Sequence, residues 1–208
     1  ILPLSRTLVT METAPDTPSP TMRAALAVIE SEHRGFATVL RALLRHLDAV
    51  REGGQAPNHD LFGTILSYAD AFMDRFHHPK EDEHLFRALR SRTGEADAVL
   101  LQLQHEHASG PAELRGLHES LARSRGGAQA DVAEFADRLQ RYIAGQEAHM
   151  RTEASVVLPI ARRVLTQADW EGIDDAFRGN SDPLFGSGPQ GRTGSLFSPL
   201  FGFAPPKP

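Results

Sequence analysis

The stretch His77-His78-Pro79-Lys80-Glu81, closing on Leu85-Phe86, places a histidine and a glutamate four residues apart. The second half of the chain repeats it as His149-Met150-Arg151-Thr152-Glu153, closing on Val157-Leu158. Working outward, each half also carries an upstream Glu-His pair and a leucine-rich block: Glu32-His33 with Leu40-Arg41-Ala42-Leu43, then Glu106-His107 with Leu114-Arg115-Gly116-Leu117. The two histidines are 44 residues apart in the first half (77 − 33) and 42 in the second (149 − 107), a span that fits two long helices joined by a short loop. Residues at i and i+4 share one helix face, so each His-x-x-x-Glu pair can reach one metal ion. The two pairs together with His33 and His107 make six candidate ligands, which suits a two-metal site.

A chain of 208 residues with 40% hydrophobic content is long enough for one domain with a substantial core plus tails. Its middle is rich in Leu, Ala, Arg and Glu, and no run of β-branched or aromatic residues reads as a strand, so the expected class is all-α. The net charge of −5 and the lack of a basic run argue against nucleic acid as a partner. No apolar stretch approaches the ~18 residues of a membrane span, and residues 1–10 lack the apolar core of a secretory signal, which makes cytoplasm the expected compartment. Cysteine is absent, which excludes disulfides, thiolate metal sites and cysteine nucleophiles. Any metal must sit on nitrogen and oxygen.

Apolar periodicity predicts four long helices. The first runs from Thr21 to about Glu52 with Ile29, His33, Phe36, Leu40, Leu43 and Leu47 on one stripe, and Gly53-Gly54 stops it. The second starts near Asp60 and ends around Arg92, with Phe62, Leu66, Met73, His77, Glu81 and Leu85 in line. On a regular helix the next residue is turned ~100° away, so His78 is expected on the polar face with Asp74, Arg75 and Asp82, outside the ligand set. The third carries Leu100, Leu103, His107, Leu114, Leu117 and Leu121, with His105 on the opposite side and an expected interruption and kink at Gly110-Pro111. The fourth carries Phe135, Leu139, Tyr142, His149, Glu153, Val157 and Ile160, with Pro159 expected to bend or restart it. Thr166 reads as the N-cap of a short helix through Trp170 to Phe177, stopped by Gly179-Asn180. Residues 1–20 read as a flexible leader, 21–180 as the helical domain and 181–208 as an irregular Gly/Pro-rich tail. In that tail Pro183-Leu184-Phe185-Gly186 recurs as Pro199-Leu200-Phe201-Gly202, a pair of apolar clusters able to dock on the domain or on a protein partner.

Four helices with short loops build metal sites from side chains on facing helices, and here each offers one inward histidine. Imidazole and carboxylate without sulfur suit iron or manganese, with zinc or copper allowed by ligand type, and redox chemistry favours iron. His46, His59, His84 and His118 have no repeated partner and read as ordinary surface residues. Tyr68 and Tyr142 read either as hydrogen-bond donors near a bound oxygen species or as packing residues. The ferritin-like spacing Glu-x-x-His occurs at Glu30-His33 and Glu81-His84 but has no counterpart in the second half, so it explains less of the chain.

On the Glu-His pairs, the two His-x-x-x-Glu pairs and the run from His77 to Phe86, the sequence over residues 22–186 resembles the bacterial hemerythrin-like (HHE cation-binding) proteins. The resemblance implies an up-down-up-down four-helix bundle. It also implies a non-haem centre of two iron ions bridged by two carboxylates and a solvent oxygen, with dioxygen, nitric oxide or peroxide as the ligand. Oxygen-carrying relatives have a second histidine four residues after the one on the third helix, where this chain has Pro111. The resemblance therefore implies a four-histidine site with a further open place. That favours binding or sensing, with turnover of peroxide or nitric oxide and iron storage or donation as the alternatives, over reversible oxygen carriage. No nicotinamide or flavin motif occurs, so an enzyme would need an external reductase.

Overall fold

The computed structural model describes residues 18–52, 57–180 and 182–184. Among them are five helices and no strand. Helix α1 is Pro20–Arg51, α2 covers residues 59–92, α3 is Asp97–Ser124, α4 covers residues 129–164 and α5 is Gln167–Arg178. None is long and apolar enough to cross a membrane. The expected leader, apart from its last residues, and the tail beyond residue 184, including Pro199-Leu200-Phe201-Gly202, lie outside the described residues.

The helix starts follow local chemistry. Ser19 accepts a hydrogen bond from the backbone N–H of Met22 at 3.1 Å, with Pro20 in the first turn, where its missing donor costs nothing. Asn58 does the same for Leu61 at 3.0 Å, and Thr166 with Asp169 closes a full capping box on α5.

Two of the long helices change winding where they carry the repeated motif. In α2 the stretches Ala69–His77 and Glu81–Phe86 are π-helical, and in α4 so is Glu153–Val157. A π turn bonds i to i+5 and so takes more than the 3.6 residues of an α turn. Two of these stretches end two residues before a proline, Pro79 and Pro159. A proline ring clashes with the carbonyl four residues back, and a widened turn relieves that clash without ending the helix. The expected interruption at Gly110-Pro111 does not occur: α3 is helical from Asp97 to Ser124 with Pro111 inside it. Gly110 is instead the point where α3 meets Asp74 of α2. A Cβ there would lie 2.7 Å from Asp74 Oδ2.

The apolar interior falls into two clusters. One contains Phe36, Leu40, Leu43, Phe62, Phe72, Leu117, Phe135 and Leu139. The other contains Ile29, Phe86, Leu100, Leu103, Val157, Trp170 and Phe177. Where the two clusters meet along α1, α2, α3 and α4 lie the buried polar residues Glu32, His33, His77, His78, Glu81, His107, His149 and Glu153. Helix α5 lays Trp170, Ile173 and Phe177 into the second cluster. The short segment beyond it returns to the first cluster. Leu184 is buried there, and Asp182 accepts a hydrogen bond from the Tyr68 hydroxyl at 3.1 Å.

Trp170 is 1% exposed and anchors α5, so Trp170→Ala should cost about 3–5 kcal/mol. Urea denaturation checks this. A loss under about 1 kcal/mol would show that α5 adds little to the core.

Candidate metal centre

The six residues singled out by the repeat converge. His33 of α1, His77 and Glu81 of α2, His107 of α3, and His149 and Glu153 of α4 are all buried, with His77 and Glu81 fully so. They form two histidine pairs: His33 Nε2 lies 2.9 Å from His77 Nε2, and His107 Nε2 lies 3.1 Å from His149 Nε2. Each glutamate spans both pairs. Glu81 puts Oε1 3.1 Å from His77 Nε2 and 3.5 Å from His33 Nε2, while its Oε2 is 3.7 Å from His107 Nε2. Glu153 puts Oε2 3.3 Å from His33 Nε2 and Oε1 3.4 Å from His149 Nε2. None of these four carboxylate oxygens has a hydrogen-bond partner.

The far side of the rings explains the Glu-His doublets, to which the sequence had given no role. His77 Nδ1 donates to Glu32 Oε2 at 2.7 Å, and His149 Nδ1 donates to Glu106 Oε2 at 2.7 Å. The glutamate preceding each lone histidine thus holds the paired histidine of the next helix. His107 Nδ1 donates to Asp82 Oδ1 at 3.1 Å. Carboxylates can only accept, so these bonds place the protons on Nδ1 and turn the Nε2 lone pairs inward. The signal in sequence was the glutamate standing directly before the histidine in both halves. Asp82 left no such repeat. Glu32 is itself held by the segment after α5, where Asn180 donates through Nδ2 to its Oε2 at 3.2 Å and takes a hydrogen bond from Lys80.

His78 is a correction to the helical-wheel reading. It is 4% exposed and faces the interior, its ring stacked on that of His107 with centroids 4.2 Å apart. The wheel assumed 3.6 residues per turn throughout. The π stretch that ends at His77 slows the rotation, so that consecutive histidines both turn inward. Two sets of side chains place one potential ligand atom each within 4.8 Å of one another: His33, His77 and Glu81, and His78, Glu81, His107 and His149. His105 is exposed and stays outside, as expected from its face. The Tyr68 hydroxyl is taken by Asp182, whereas the buried Tyr142 hydroxyl has no partner.

His33 Nε2 can donate to His77 Nε2 at 2.9 Å, whereas at His107 and His149 both Nδ1 atoms donate to carboxylates, so two Nε2 lone pairs face each other at 3.1 Å and repel, as do the buried carboxylates without donors. Only positive charge between them relieves both. In the metal-free protein protons provide it. Burial by itself pushes the His77 imidazolium down, but Glu81 beside it and the hydrogen bond to Glu32 more than reverse this and carry it up to about 10. His149 follows the same balance: burial lowers it, and Glu153, Glu81 and Glu106 raise it to about 9. Burial would raise the Glu81 carboxyl, yet His77 and His33 hold it well below the usual range. His78 behaves oppositely. Burial and the neighbouring His107 and His77 push it well down, which leaves it a neutral imidazole. The donor set of imidazoles and carboxylates, with orphaned inward oxygens, is compatible with a metal site.

The family model for the hemerythrin HHE cation-binding domain matches residues 24–161, which include all six residues. No curated protein and no solved structure matches the chain.

His77 and His149 have folded-state values above the ordinary 6.5. The stability they lend the metal-free protein is therefore fully present below pH 6.5 and lost as pH rises through about 9 to 10. Melting temperatures of metal-stripped protein from pH 6.5 to 10 should fall, and Glu32→Gln should flatten the fall. A level profile for the unmutated protein would contradict the charge pairing.

Proposed function

The chain belongs to the hemerythrin HHE cation-binding family, and from that premise we propose that it is an up-down-up-down four-helix bundle that binds or senses dioxygen, nitric oxide or peroxide at two iron ions. His33 and His77 hold one ion, His107 and His149 hold the other, and Glu81 and Glu153 lie between them. The observation that carries this reading is the span of the two glutamates, each with oxygens facing both histidine pairs. One ion would leave half of the orphaned carboxylate oxygens uncompensated.

The order of core residues supports the bundle. Along α1 and α3 the chain passes the Ile29 and Leu100 cluster, then the polar layer, then the Phe36 and Leu117 cluster, while along α2 and α4 it passes them in the reverse order. Short connections at residues 93–96 and 125–128 fit antiparallel neighbours.

Bound iron supplies open coordination places and two accessible oxidation states for a small ligand. The protein supplies the rest. Glu32, Glu106 and Asp82 hold their imidazoles in one tautomer and one orientation, so the ring nitrogens need not reorganise when a ligand arrives. The apolar clusters on either side keep bulk water away. A groove of about 550 Å³ between α1 and α4 reaches His33 and is lined by both charges, with Arg34 and Arg162 paired to Glu30, which gives small ligands an approach from one side.

Anaerobic reconstitution with iron(II) followed by metal analysis should give two ions per chain, and His77→Ala or His149→Ala should lose at least one of them. One ion or none in the unmutated protein would overturn the reading. Glu32→Gln should keep the fold and weaken iron binding about 10–100-fold in a chelator competition. Rapid mixing of the reduced protein with nitric oxide or peroxide separates a stable adduct from turnover.

A further inference from the structure

His78 has no counterpart in the second half, where Met150 stands in its place. It is nonetheless enclosed on every side. Its ring lies parallel to His107, 10° between planes, and its centroid is 5.3 Å from that of His149 and 5.7 Å from that of His77. One of its nitrogens falls within 4.8 Å of potential ligand atoms of Glu81, His107 and His149. Its Nδ1 is 3.3 Å from Asp74 Oδ1 but makes no hydrogen bond, and the other oxygen of Asp74 is an orphan too. The Asp74 side chain is 1% exposed. An imidazole and a carboxylate buried side by side with these atoms unbonded cost free energy that packing alone does not explain.

The arrangement repeats what holds the other rings. Glu32 stands behind His77, Glu106 behind His149 and Asp82 behind His107, each at Nδ1. Asp74 occupies the corresponding place behind His78, 3.3 Å from its Nδ1, though without the hydrogen bond the other three make. Gly110 makes the place for it, since any side chain there would collide with Asp74. The geometry points to His78 as a fifth histidine of the centre, ligating the ion on the α3–α4 side through Nε2, with Asp74 as the positioning residue that holds its Nδ1. This rests on the two-iron reading above and extends it. The two ions are then inequivalent, one carrying two histidines and the other three. The third histidine comes from the second helix, not from the third, where Pro111 stands. The ion on the α1–α2 side keeps more open places, and it is the one the groove between α1 and α4 reaches through His33.

The test uses full-length protein loaded with iron(II), titrated against a chelator, with Mössbauer spectra of the oxidised form. The unmutated protein should bind two ions and show two quadrupole doublets of equal area. In His78→Ala one binding step should weaken at least tenfold and one doublet should change while the other holds. Added imidazole should restore both in His78→Gly. If His78→Ala does not fold, Asp74→Asn, which keeps size and shape, should shift the same doublet and weaken the same step. Two ions with unchanged affinities and unchanged doublets in both variants would overturn the role of His78 and leave the two-iron reading standing. Fewer than two ions in the unmutated protein would overturn both.

Discussion

The structure turns on four carboxylate oxygens, those of Glu81 and Glu153, buried without a single hydrogen-bond donor between two pairs of histidines whose Nε2 atoms face one another. Everything around this layer either creates the conflict or contains it. A helical protein gains nothing in stability from burying such groups unpaired, and apolar residues of similar volume would pack at less cost. The layer is compatible with a bound cation, and its carboxylates raise His77 and His149 above the ordinary histidine value despite burial.

Containment comes from outside the layer. Three carboxylates from neighbouring helix turns fix the rings from behind, and one of them, Glu32, is held in turn by Asn180 just past α5. The short fifth helix is therefore more than a lid on the second apolar cluster. Its Trp170 and Phe177 anchor the segment that sets Glu32, and the Phe177 ring sits 5.9 Å from that of His77 in an edge-on contact. Packing free energy far from the site is used to hold the ring orientations, which is how a bundle of mobile side chains becomes a preorganised donor set.

The π-helical stretches belong to the same account. They are uncommon winding with poorer hydrogen bonding, and they fall where α2 and α4 carry the repeated histidines and glutamates. In α2 the extra residue in the turn brings His78 inward beside His77. The two halves of the chain therefore share a motif but not an environment. One half offers a stacked third imidazole with Asp74 and Gly110 behind it, and the other offers a methionine.

The sequence by itself determined the helical class, the helix boundaries to within a turn where caps and glycines mark them, and the six residues that converge. Hydrophobic periodicity and the i, i+4 rule act locally, and the internal repeat gave each inference a second, independent instance. It also contained the Glu-His doublets, but not their meaning, because Glu32 serves a ring 45 residues away and Glu106 one 43 away. The inward turn of His78 and the unbroken course of α3 through Pro111 were decided only in three dimensions. The first depends on a change of helical winding that a fixed wheel cannot show. The second accompanies a close approach between Gly110 and Asp74, a contact between helices that no pattern along one chain segment records.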